Sequence, residues 1–389
     1  MASALLISEV FPPRNGGSGR WFFELYGRLE NQNFLVAAGT ATGDKEFDSA
    51  IDHQIRIRRL ALSSEHWGLR SLTGLKFYYQ SFQGIRRIVR DEGVSQIHCG
   101  RCLPEGVIGW LLNKSLKLPY LCFVHGEDIQ AAMESRELSW MIRRVFSSAE
   151  VLIANSHNTA RLLIAHWDVS VDKVQVLHPG MDAERFVPAE RDRSFCAAMG
   201  WLERTVILTV GRLQRRKGHD VLIRALPLLL KEFPSLHYVI VGEGEERSEL
   251  ERLVTGLGLS DHVQFLGEVD DSTMIQCYQQ CHLFALPNRT EGSDIEGFGM
   301  VLAEAQACGK AVLAGDSGGT RETMLVGETG IIVDCQTPEA LADAIQHLLS
   351  DGDRLEEMGL RAREHVAITL DWRVHVEKAR AIFNSIGDQ

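Results

Sequence analysis

Short apolar runs alternate with longer helical stretches along almost the whole of this 389-residue chain. The apolar runs are rich in aliphatic residues and have the length of buried strands. Strands that alternate with helices in this way predict parallel sheets with helices packed on both faces. We therefore expect an α/β protein with doubly wound sheets, in which ligands bind beyond the carboxyl ends of the strands.

The predicted strands form two series, separated by a polar and irregular stretch that contains Pro179 and Pro188. The strands of the first series are Ala4–Glu9, Phe34–Ala38, Gln54–Arg58, Gln96–Cys99, Leu121–Val124, Val151–Ala154 and Val174–Leu177. Those of the second series are Val206–Gly211, Tyr238–Gly242, Val263–Leu266, Leu283–Leu286, Ala311–Ala314 and Ile331–Asp334. We predict one domain over residues 1–185 and a second over 200–370, joined by this stretch.

Composition limits the classes of function. The apolar content of 45% is enough for two domains with cores of their own. A net charge of −11 argues against a general nucleic-acid binder, whose affinity depends on cationic contacts to phosphates. No apolar run approaches the roughly 18 residues of a membrane span, and the N-terminus resembles a first strand rather than a signal peptide. The eight cysteines show no paired zinc spacing, so we expect reduced thiols, no metal and a cytoplasmic protein.

A glycine-rich loop follows the first predicted strand. Gly16 and Gly17 stand directly before a helical stretch, where backbone amides without side chains suit a phosphate group. The spacing is not that of a dinucleotide-binding fingerprint, because its third glycine position is Phe22. The loop therefore predicts a phosphate contact, with a structural strand–helix turn as the alternative.

A histidine follows a later strand of the first series. His125 comes directly after a buried run and is followed by Gly126. We expect it to be exposed at the ligand edge of the sheet, where an imidazole can bind a sugar hydroxyl or assist proton movement. A structural histidine is the alternative.

A basic motif follows the first strand of the second series. Arg212 and Lys217 stand where fixed positive charge can neutralise a diphosphate. The chain contains no P-loop sequence. A solvated basic turn would have the same composition.

Two acidic residues, Glu296 and Glu304, enclose a glycine-containing turn before Gly309. If both lay on one helix, eight residues would separate them by roughly 12 Å at about 1.5 Å per residue. The amides of a helix N-terminus would bind a phosphate between them, and the carboxylates would accept hydrogen bonds from sugar hydroxyls. The motif predicts a nucleoside-diphosphate sugar, unless both residues simply face solvent on an amphipathic helix.

Residues 69–92 combine aromatic side chains with a row of basic ones. Such a helix suits an anionic membrane surface or a lipid acceptor. A core helix with a solvated basic face is the alternative.

The order and spacing of these motifs resemble the retaining glycosyltransferases of family 4, over essentially the whole chain. The resemblance rests on the glycine loop, the His125-Gly126 segment, the Arg212–Lys217 motif and the Glu-x7-Glu signature from Glu296 to Glu304. The segment around Glu296 is especially similar to the subgroup of bacterial phosphatidylinositol mannosyltransferases and polysaccharide hexosyltransferases.

This resemblance implies the GT-B fold, with two facing Rossmann-like domains, a donor in the cleft between them and a last helix over about 371–389 that packs back on the first domain. It implies that Arg212 and Lys217 bind the diphosphate, that Glu304 holds the ribose and that Glu296 contacts the transferred sugar. The other implied donor contacts are the amides of Gly16 and Gly17, those of Gly297, Phe298 and Gly299, the backbone of Val269 near the base, and His125 near the C6 hydroxyl of the sugar.

The expected function is transfer of a hexose, glucose or mannose, from a UDP- or GDP-sugar to a lipid-linked or polysaccharide-precursor acceptor. The resemblance implies retention of configuration and no metal or other cofactor. We expect a cytoplasmic enzyme with peripheral contact to an anionic membrane through residues 69–92 and with no nucleic-acid partner. Two alternatives stay open: a nucleotide-sugar 2-epimerase, against which the paired motifs argue, and a non-catalytic nucleotide-sugar-binding subunit.

Overall fold

The computed structural model describes residues 3–14, 16–29, 34–51, 55–64 and 67–386. It divides into two units, which we call unit 1 (Met1–Gly180 and Trp372–Gln389) and unit 2 (Met181–Asp371). The polar stretch from Met181 onward, expected to be a linker, belongs to unit 2. One reason is that Arg363 of unit 2 donates hydrogen bonds of 2.7 Å to the carbonyl oxygens of both Ala183 and Phe186.

Unit 1 contains a seven-stranded parallel sheet with the order β3-β2-β1-β4-β5-β6-β7. Its strands are β1 (Ala4–Ser8), β2 (Phe34–Gly39), β3 (Arg56–Leu60), β4 (Gln96–Cys99), β5 (Tyr120–Val124), β6 (Val151–Ala154) and β7 (Val174–Val176). Its helices before the chain leaves the unit are α1 (Gly17–Gly27), α2 (Asp44–Ala50), α3 (Leu72–Glu92), α4 (Val107–Leu116), α5 (Glu127–Met133), α6 (Arg136–Ser148) and α7 (His157–Trp167).

Unit 2 contains a six-stranded parallel sheet with the order β10-β9-β8-β11-β12-β13. Its strands are β8 (Thr205–Val210), β9 (Leu236–Val241), β10 (Val263–Gly267), β11 (Leu283–Leu286), β12 (Val312–Gly315) and β13 (Gly330–Val333). Its helices are α8 (Arg193–Met199), α9 (His219–Leu229), α10 (Arg247–Gly256), α11 (Asp271–Gln280), α12 (Met300–Ala307), α13 (Pro338–Leu349) and α14 (Gly352–Thr369). The last helix, α15 (Trp372–Asn384), returns to unit 1, where the ring of Phe383 packs 4.4 Å from that of His98.

The α/β prediction is confirmed, and all thirteen predicted strands form within two residues of their expected bounds. The third strand shows one of the larger differences, because it begins at Arg56, whereas Gln54 lies outside the described residues. None of the helices in the described ranges combines the length and the apolar character needed to cross a bilayer.

Alternate side chains of each central strand pack on opposite faces of its sheet. In β8, Val206 and Leu208 join the core on one face, whereas Ile207 joins the core on the other. Burial on both faces explains why the strands are continuous apolar runs rather than alternating ones. The side chains of the strands therefore form the core, and we expect polar functional residues in the loops at the carboxyl ends of the strands.

In each sheet the strand order reverses beside the first strand of the unit. The reversal lies between β1 and β4 in unit 1 and between β8 and β11 in unit 2. Loops diverge at such a point and leave a crevice in which open α/β sheets bind ligands. The loops after these four strands are therefore where each unit is expected to hold its functional residues.

Candidate functional site

Two loops of unit 2 meet at the reversal point of its sheet. The loop after β8 ends in the one-turn helix Arg215–Lys217, and the loop after β11 runs to Gly299, where α12 follows. The N–H of Arg289 donates to the carbonyl oxygen of Arg216 at 2.8 Å. Gly218 lies so close to Pro287 that a Cβ would stand 1.8 Å from the proline oxygen, and its φ is +73°. Only glycine fits here, so the close approach of the two loops requires glycine at position 218.

A buried ion cluster joins the two loops. The Nζ of Lys217 and the Nη1 of Arg216 each lie 2.6 Å from the same oxygen, Oε2 of Glu296. These three side chains are about one-tenth exposed. Arg216 also forms an ion pair with Asp294, with its Nε 3.0 Å from Oδ1. Charges this deeply buried are stable only when paired, so the cluster depends on all its members.

The cluster fixes the charge of Glu296. Burial opposes ionisation of this carboxyl, but the positive charges of Lys217 and Arg216 outweigh that effect and lower its pKa to about 2. Glu296 is therefore ionised throughout the physiological range. A carboxylate that accepts hydrogen bonds from two cations is well placed to accept a further one from a sugar hydroxyl, and it is a poor nucleophile.

The backbone of Glu296 is held as firmly as its side chain. Its carbonyl oxygen accepts a hydrogen bond of 3.0 Å from the N–H of Gly319. A Cβ on Gly318, where φ is +58°, would stand 1.8 Å from the same oxygen. The loop after β12 thus closes over Glu296 and leaves room only for glycine at its nearest point.

The expectation that Glu296 and Glu304 share one helix is wrong. Helix α12 begins at Met300, four residues after Glu296, so the estimate of about 12 Å along one helix axis does not apply. Gly299 provides the turn that redirects the chain into α12, and Gly297 lies in the bend before it.

Neither glutamate faces solvent. Glu304 is 1% exposed and accepts a hydrogen bond of 2.6 Å from the hydroxyl of Tyr278 on α11. The alternative of solvent-facing glutamates on an amphipathic helix is therefore excluded. Ribose binding by Glu304 stays a prediction.

The other residues expected at the donor have different surroundings. Arg212 is exposed, and the ammonium of Lys217 lies over the neighbouring Gly211, about 3.8 Å from the position of a Cβ there. Phe298 is buried in the core on one face of the sheet, and half-buried Val269 packs against the same core. The structure therefore brings Lys217 and Glu296 together, leaves Arg212 exposed in the same loop as Lys217, and makes Phe298 a core residue.

In unit 1, the glycine loop precedes a helix as expected. Gly16 is the residue before α1, and Gly17 is its first residue. Arg101, from the loop after β4, donates a hydrogen bond of 2.9 Å to the hydroxyl of Ser18 in the first turn. A basic side chain and a helix N-terminus therefore lie together at the start of α1, and the phosphate contact stays a prediction.

The expectation that His125 is exposed is wrong. Its side chain is 6% exposed, and its ring packs edge-on against Trp21 and Phe22 of α1. Its Nε2–H donates to the carbonyl oxygen of Gly100 at 2.8 Å. Burial lowers the pKa of His125, so the imidazole is neutral at pH 7. Contact with a donor sugar stays a prediction, and it would have to come from the remaining edge of the ring.

Two family models together match most of this chain. A family model described as "Glycosyltransferase Family 4" matches residues 15–185, and one described as "Glycosyl transferases group 1" matches residues 200–365. A GDP-mannose-dependent alpha-(1-6)-phosphatidylinositol monomannoside mannosyltransferase of Mycolicibacterium smegmatis is 30% identical over 374 residues, which is 95% of each chain. The chain belongs to the family 4 glycosyltransferases.

Further relatives support the same conclusion. A D-inositol 3-phosphate glycosyltransferase of Corynebacterium jeikeium is 32% identical over 76% of this chain and 74% of its own. The structure of sucrose-phosphate synthase from Thermosynechococcus elongatus matches 98% of both chains with a TM-score of 0.82, at 23% identity. The two α/β units are therefore those of the GT-B fold. The protein is a hexosyltransferase, which the relatives support over the epimerase and the non-catalytic subunit.

The sequence did not point to three residues of this candidate site. Arg216 precedes Lys217 in the same basic motif, so its position offered a signal, but nothing distinguished it from its basic neighbours. Asp294 closes a two-residue hairpin with Glu291, and Tyr278 lies on a different helix from its partner. The side-chain contacts of Arg216 with Asp294 and of Tyr278 with Glu304 join segments far apart in sequence, and no local pattern records them.

Proposed function

We propose that this glycosyltransferase transfers mannose from GDP-mannose to a hydroxyl of a lipid-linked acceptor, with retention of configuration and without a metal. The observation that carries the proposal is the cluster of Lys217, Arg216 and Glu296 at the reversal point of the unit 2 sheet. Support for the donor comes from the relative of Mycolicibacterium smegmatis, whose name states that it depends on GDP-mannose and acts on a phosphatidylinositol monomannoside. UDP-glucose is the competing donor.

The charges of the site suit departure of a diphosphate. Cleavage of the bond between the anomeric carbon and its oxygen leaves negative charge on the nucleotide. Exposed Arg212 and Lys217, whose ammonium lies over Gly211, belong to the same loop after β8, and we expect both cations to neutralise that charge. Fixed cations of this kind supply the electrostatic role that a divalent ion has in other phosphate-handling enzymes.

The surroundings of Glu296 do not suit a double displacement through a covalent intermediate. Glu296 accepts hydrogen bonds from two cations at one oxygen, Oε2, which lowers its nucleophilicity. We infer that it orients a hydroxyl of the transferred sugar and forms no covalent intermediate. The acceptor hydroxyl then attacks on the face that the diphosphate leaves, and its proton passes to an oxygen of that diphosphate.

The first test is calorimetric titration of the purified protein with GDP and with UDP in the presence of a chelator. Tight binding of GDP supports the proposed donor, whereas tight binding of UDP alone replaces it with a UDP-sugar. Binding of neither nucleotide would refute the assignment of this cluster to a donor site.

The second test separates transfer from other reactions. Consumption of the donor only when acceptor is present supports a transferase, and conversion of the sugar without acceptor would instead identify an epimerase. The anomeric configuration of the product, read by NMR, tests retention. The Glu296→Ala variant should lose most turnover while nucleotide binding survives. An unchanged turnover number would remove Glu296 from the reaction.

We further propose that α3 holds the enzyme at an anionic membrane, which is where a lipid-linked acceptor would be met. One face of α3 packs on the core through residues such as Phe77 and Ile85. The first half of the opposite face exposes Leu72 (86%) and Tyr79 (65%). An apolar surface of this kind can enter the boundary between headgroups and acyl chains.

The second half of the same exposed face is basic. An open depression there is lined by Gln83, Gly84, Arg86, Arg87, Arg90 and Asp91. Lipid phosphates and arginine side chains form charge-assisted hydrogen bonds, and each basic residue near an anionic surface contributes about 1 kcal/mol. Together, apolar insertion and charge predict reversible binding that weakens with salt.

Sedimentation with lipid vesicles tests this surface. The wild-type protein should bind vesicles that contain phosphatidylinositol and should bind neutral phosphatidylcholine vesicles much less. Leu72→Ser should weaken binding severalfold, whereas Leu360→Ser, which changes a leucine 63% exposed on α14, should not. Equal binding by both variants would exclude α3 as the contact.

A further inference from the structure

Two cations share a single oxygen of Glu296. The Nζ of Lys217 and the Nη1 of Arg216 both lie 2.6 Å from Oε2. One role of Lys217 in the proposed function is to neutralise the diphosphate of the donor. A diphosphate carries more charge than a carboxylate and would draw the ammonium away from Glu296. A buried carboxylate that lost its cations would be destabilised by its desolvation.

Arg216 is anchored where it can remain. Its Nε lies 3.0 Å from the carboxylate of Asp294, and its carbonyl oxygen accepts the N–H of Arg289 at 2.8 Å. Asp294 is itself held by a hairpin, in which it and Glu291 exchange both backbone hydrogen bonds, of 2.9 and 3.0 Å. Arg216 contacts both carboxylates at once, through a hydrogen bond from Nη1 to Glu296 and an ion pair between Nε and Asp294, and its guanidinium is planar and rigid whereas the ammonium of Lys217 stands on a flexible stem.

We propose that Arg216 is a positioning residue that keeps Glu296 ionised and oriented when Lys217 turns to the diphosphate of the donor. This inference rests on the proposed function and adds a residue to it. The two adjacent basic residues thereby have different tasks: Lys217 exchanges between the carboxylate and the phosphate, and Arg216 stays with the carboxylate.

Asp294 and Glu296 differ in exposure, and this difference predicts which carboxylate is affected when Arg216 is removed. The side chain of Asp294 is 46% exposed, so water can replace its lost partner. That of Glu296 is 10% exposed, and little water can reach it. Removing Arg216 should therefore act mainly on the protonation of Glu296.

The experiment compares Arg216→Met with Arg216→Lys and uses Arg215→Met as the matched control. Arg215 is the neighbouring arginine of the same turn, is 70% exposed and has only a loose ion pair of 3.6 Å with Glu291. For each variant, kcat and KM for the donor are measured from pH 5 to 9. Affinity for GDP, or for UDP if the wild-type protein binds that nucleotide instead, is measured by calorimetry.

For Arg216→Met we expect kcat at pH 7 to fall at least about tenfold, while nucleotide affinity changes less than about threefold. The kcat profile should gain an acid limb above pH 5 that the wild-type protein lacks, because Glu296 becomes protonated there. Arg216→Lys should remove that limb without restoring the full rate, and Arg215→Met should match the wild type.

Three results would overturn the inference. Wild-type kcat in Arg216→Met would show that the residue is dispensable. A loss of nucleotide affinity as large as the loss of rate would make Arg216 a diphosphate ligand. An equal loss at every pH in both Arg216 variants would indicate a general structural role.

A measurement without donor separates this inference from the proposed function. Carbon-13 NMR of the glutamate carboxyls, with Glu296 assigned by its Gln variant, reports the pKa of Glu296 in the ligand-free protein. This pKa should rise by at least about one unit in Arg216→Met and stay low in Arg215→Met. An unchanged value refutes the role of Arg216 even if the wild-type protein transfers sugar. Absence of nucleotide binding and of transfer by the wild-type protein refutes the proposed function alone.

Discussion

Replacing Glu296 with glutamine should lower the free energy of unfolding of unit 2, because it removes the carboxylate from the buried ion cluster. The side chain keeps its shape but loses its charge, so Lys217 and Arg216 lose a carboxylate partner in a buried place. The pKa of Glu296 falls from 4.5 to about 2 on folding, because the two cations outweigh the burial that opposes ionisation. At about 1.4 kcal/mol per pKa unit, this lowering corresponds to roughly 3.5 kcal/mol of stabilisation. Removing one member of a buried ion pair lowers the free energy of unfolding by about 3–5 kcal/mol in other proteins, which agrees with this value.

The stabilisation of the fold by Glu296 should weaken as the pH falls. Because folding lowers the pKa, the stabilisation by Glu296 is complete above 4.5 and is lost as the pH falls toward 2. At pH 4 the unfolded chain already binds most of a proton at this residue, whereas the folded protein does not. The difference in unfolding free energy between wild type and Glu296→Gln should therefore narrow by about 1 kcal/mol between pH 7 and pH 4.

The assay must report on unit 2 alone. Protein equilibrated in urea at each pH can be pulse-labelled with deuterium, and peptides from β8 and β12 then give the unfolding transition by mass spectrometry. Glu357→Gln is the control, because Glu357 is 62% exposed and forms an ion pair with Arg361 on the surface of α14. Such a pair contributes less than about 1 kcal/mol. Equal losses of unfolding free energy in Glu296→Gln and Glu357→Gln would refute the reasoning. So would a difference between wild type and Glu296→Gln that does not change with pH.

Three further predictions concern single residues. Lys217→Ala should weaken nucleoside-diphosphate affinity by about 10- to 100-fold, the value of one charge-assisted hydrogen bond, and an unaltered dissociation constant in calorimetry would remove Lys217 from the site. Gly318→Ala should lower the melting temperature by several degrees because its Cβ would meet the carbonyl oxygen of Glu296 at 1.8 Å, whereas Gly256→Ala, where nothing lies within 4 Å, should leave it unchanged or slightly raised. Burial raises the pKa of Glu105 from 4.5 to about 8, so ionisation of this carboxyl destabilises the fold increasingly as the pH rises between these values. Glu105→Gln should therefore raise the free energy of unfolding of unit 1 by up to roughly 5 kcal/mol at pH 9 but only about 1 kcal/mol at pH 5. Urea unfolding that shows the same increase at both pH values would contradict the raised pKa of Glu105.

The strands and the order of the motifs could be predicted because their signals are local. An apolar run such as Leu283–Leu286 identifies a strand that is buried on both faces wherever it stands in the sheet. The glycines at 16–17 mark the start of a helix by the same local logic, and α1 does begin at Gly17. The four spaced motifs then identified the family, although none of them identifies it alone.

Other features depend on which loops the sheet order brings together. Arg216 and Glu296 are 80 residues apart in sequence, and they meet because β8 and β11 are neighbours in a parallel sheet. The burial of His125 is decided in the same way, by aromatic rings of α1 that pack against it. A sequence shows residue types and spacing along the chain, but exposure and ion pairing are set by neighbours that arrive from other strands.

The sequence by itself therefore determined the α/β class, the strands, the family and the residue types available for a diphosphate. Only the tertiary structure decided that Glu296 lies outside the helix of Glu304, that Glu304 is bound to Tyr278, and that Arg216 shares a carboxylate oxygen with Lys217. The physical reason is that strand formation depends on local apolar pattern, whereas the charge and orientation of a buried carboxylate depend on distant groups that folding places within hydrogen-bond distance.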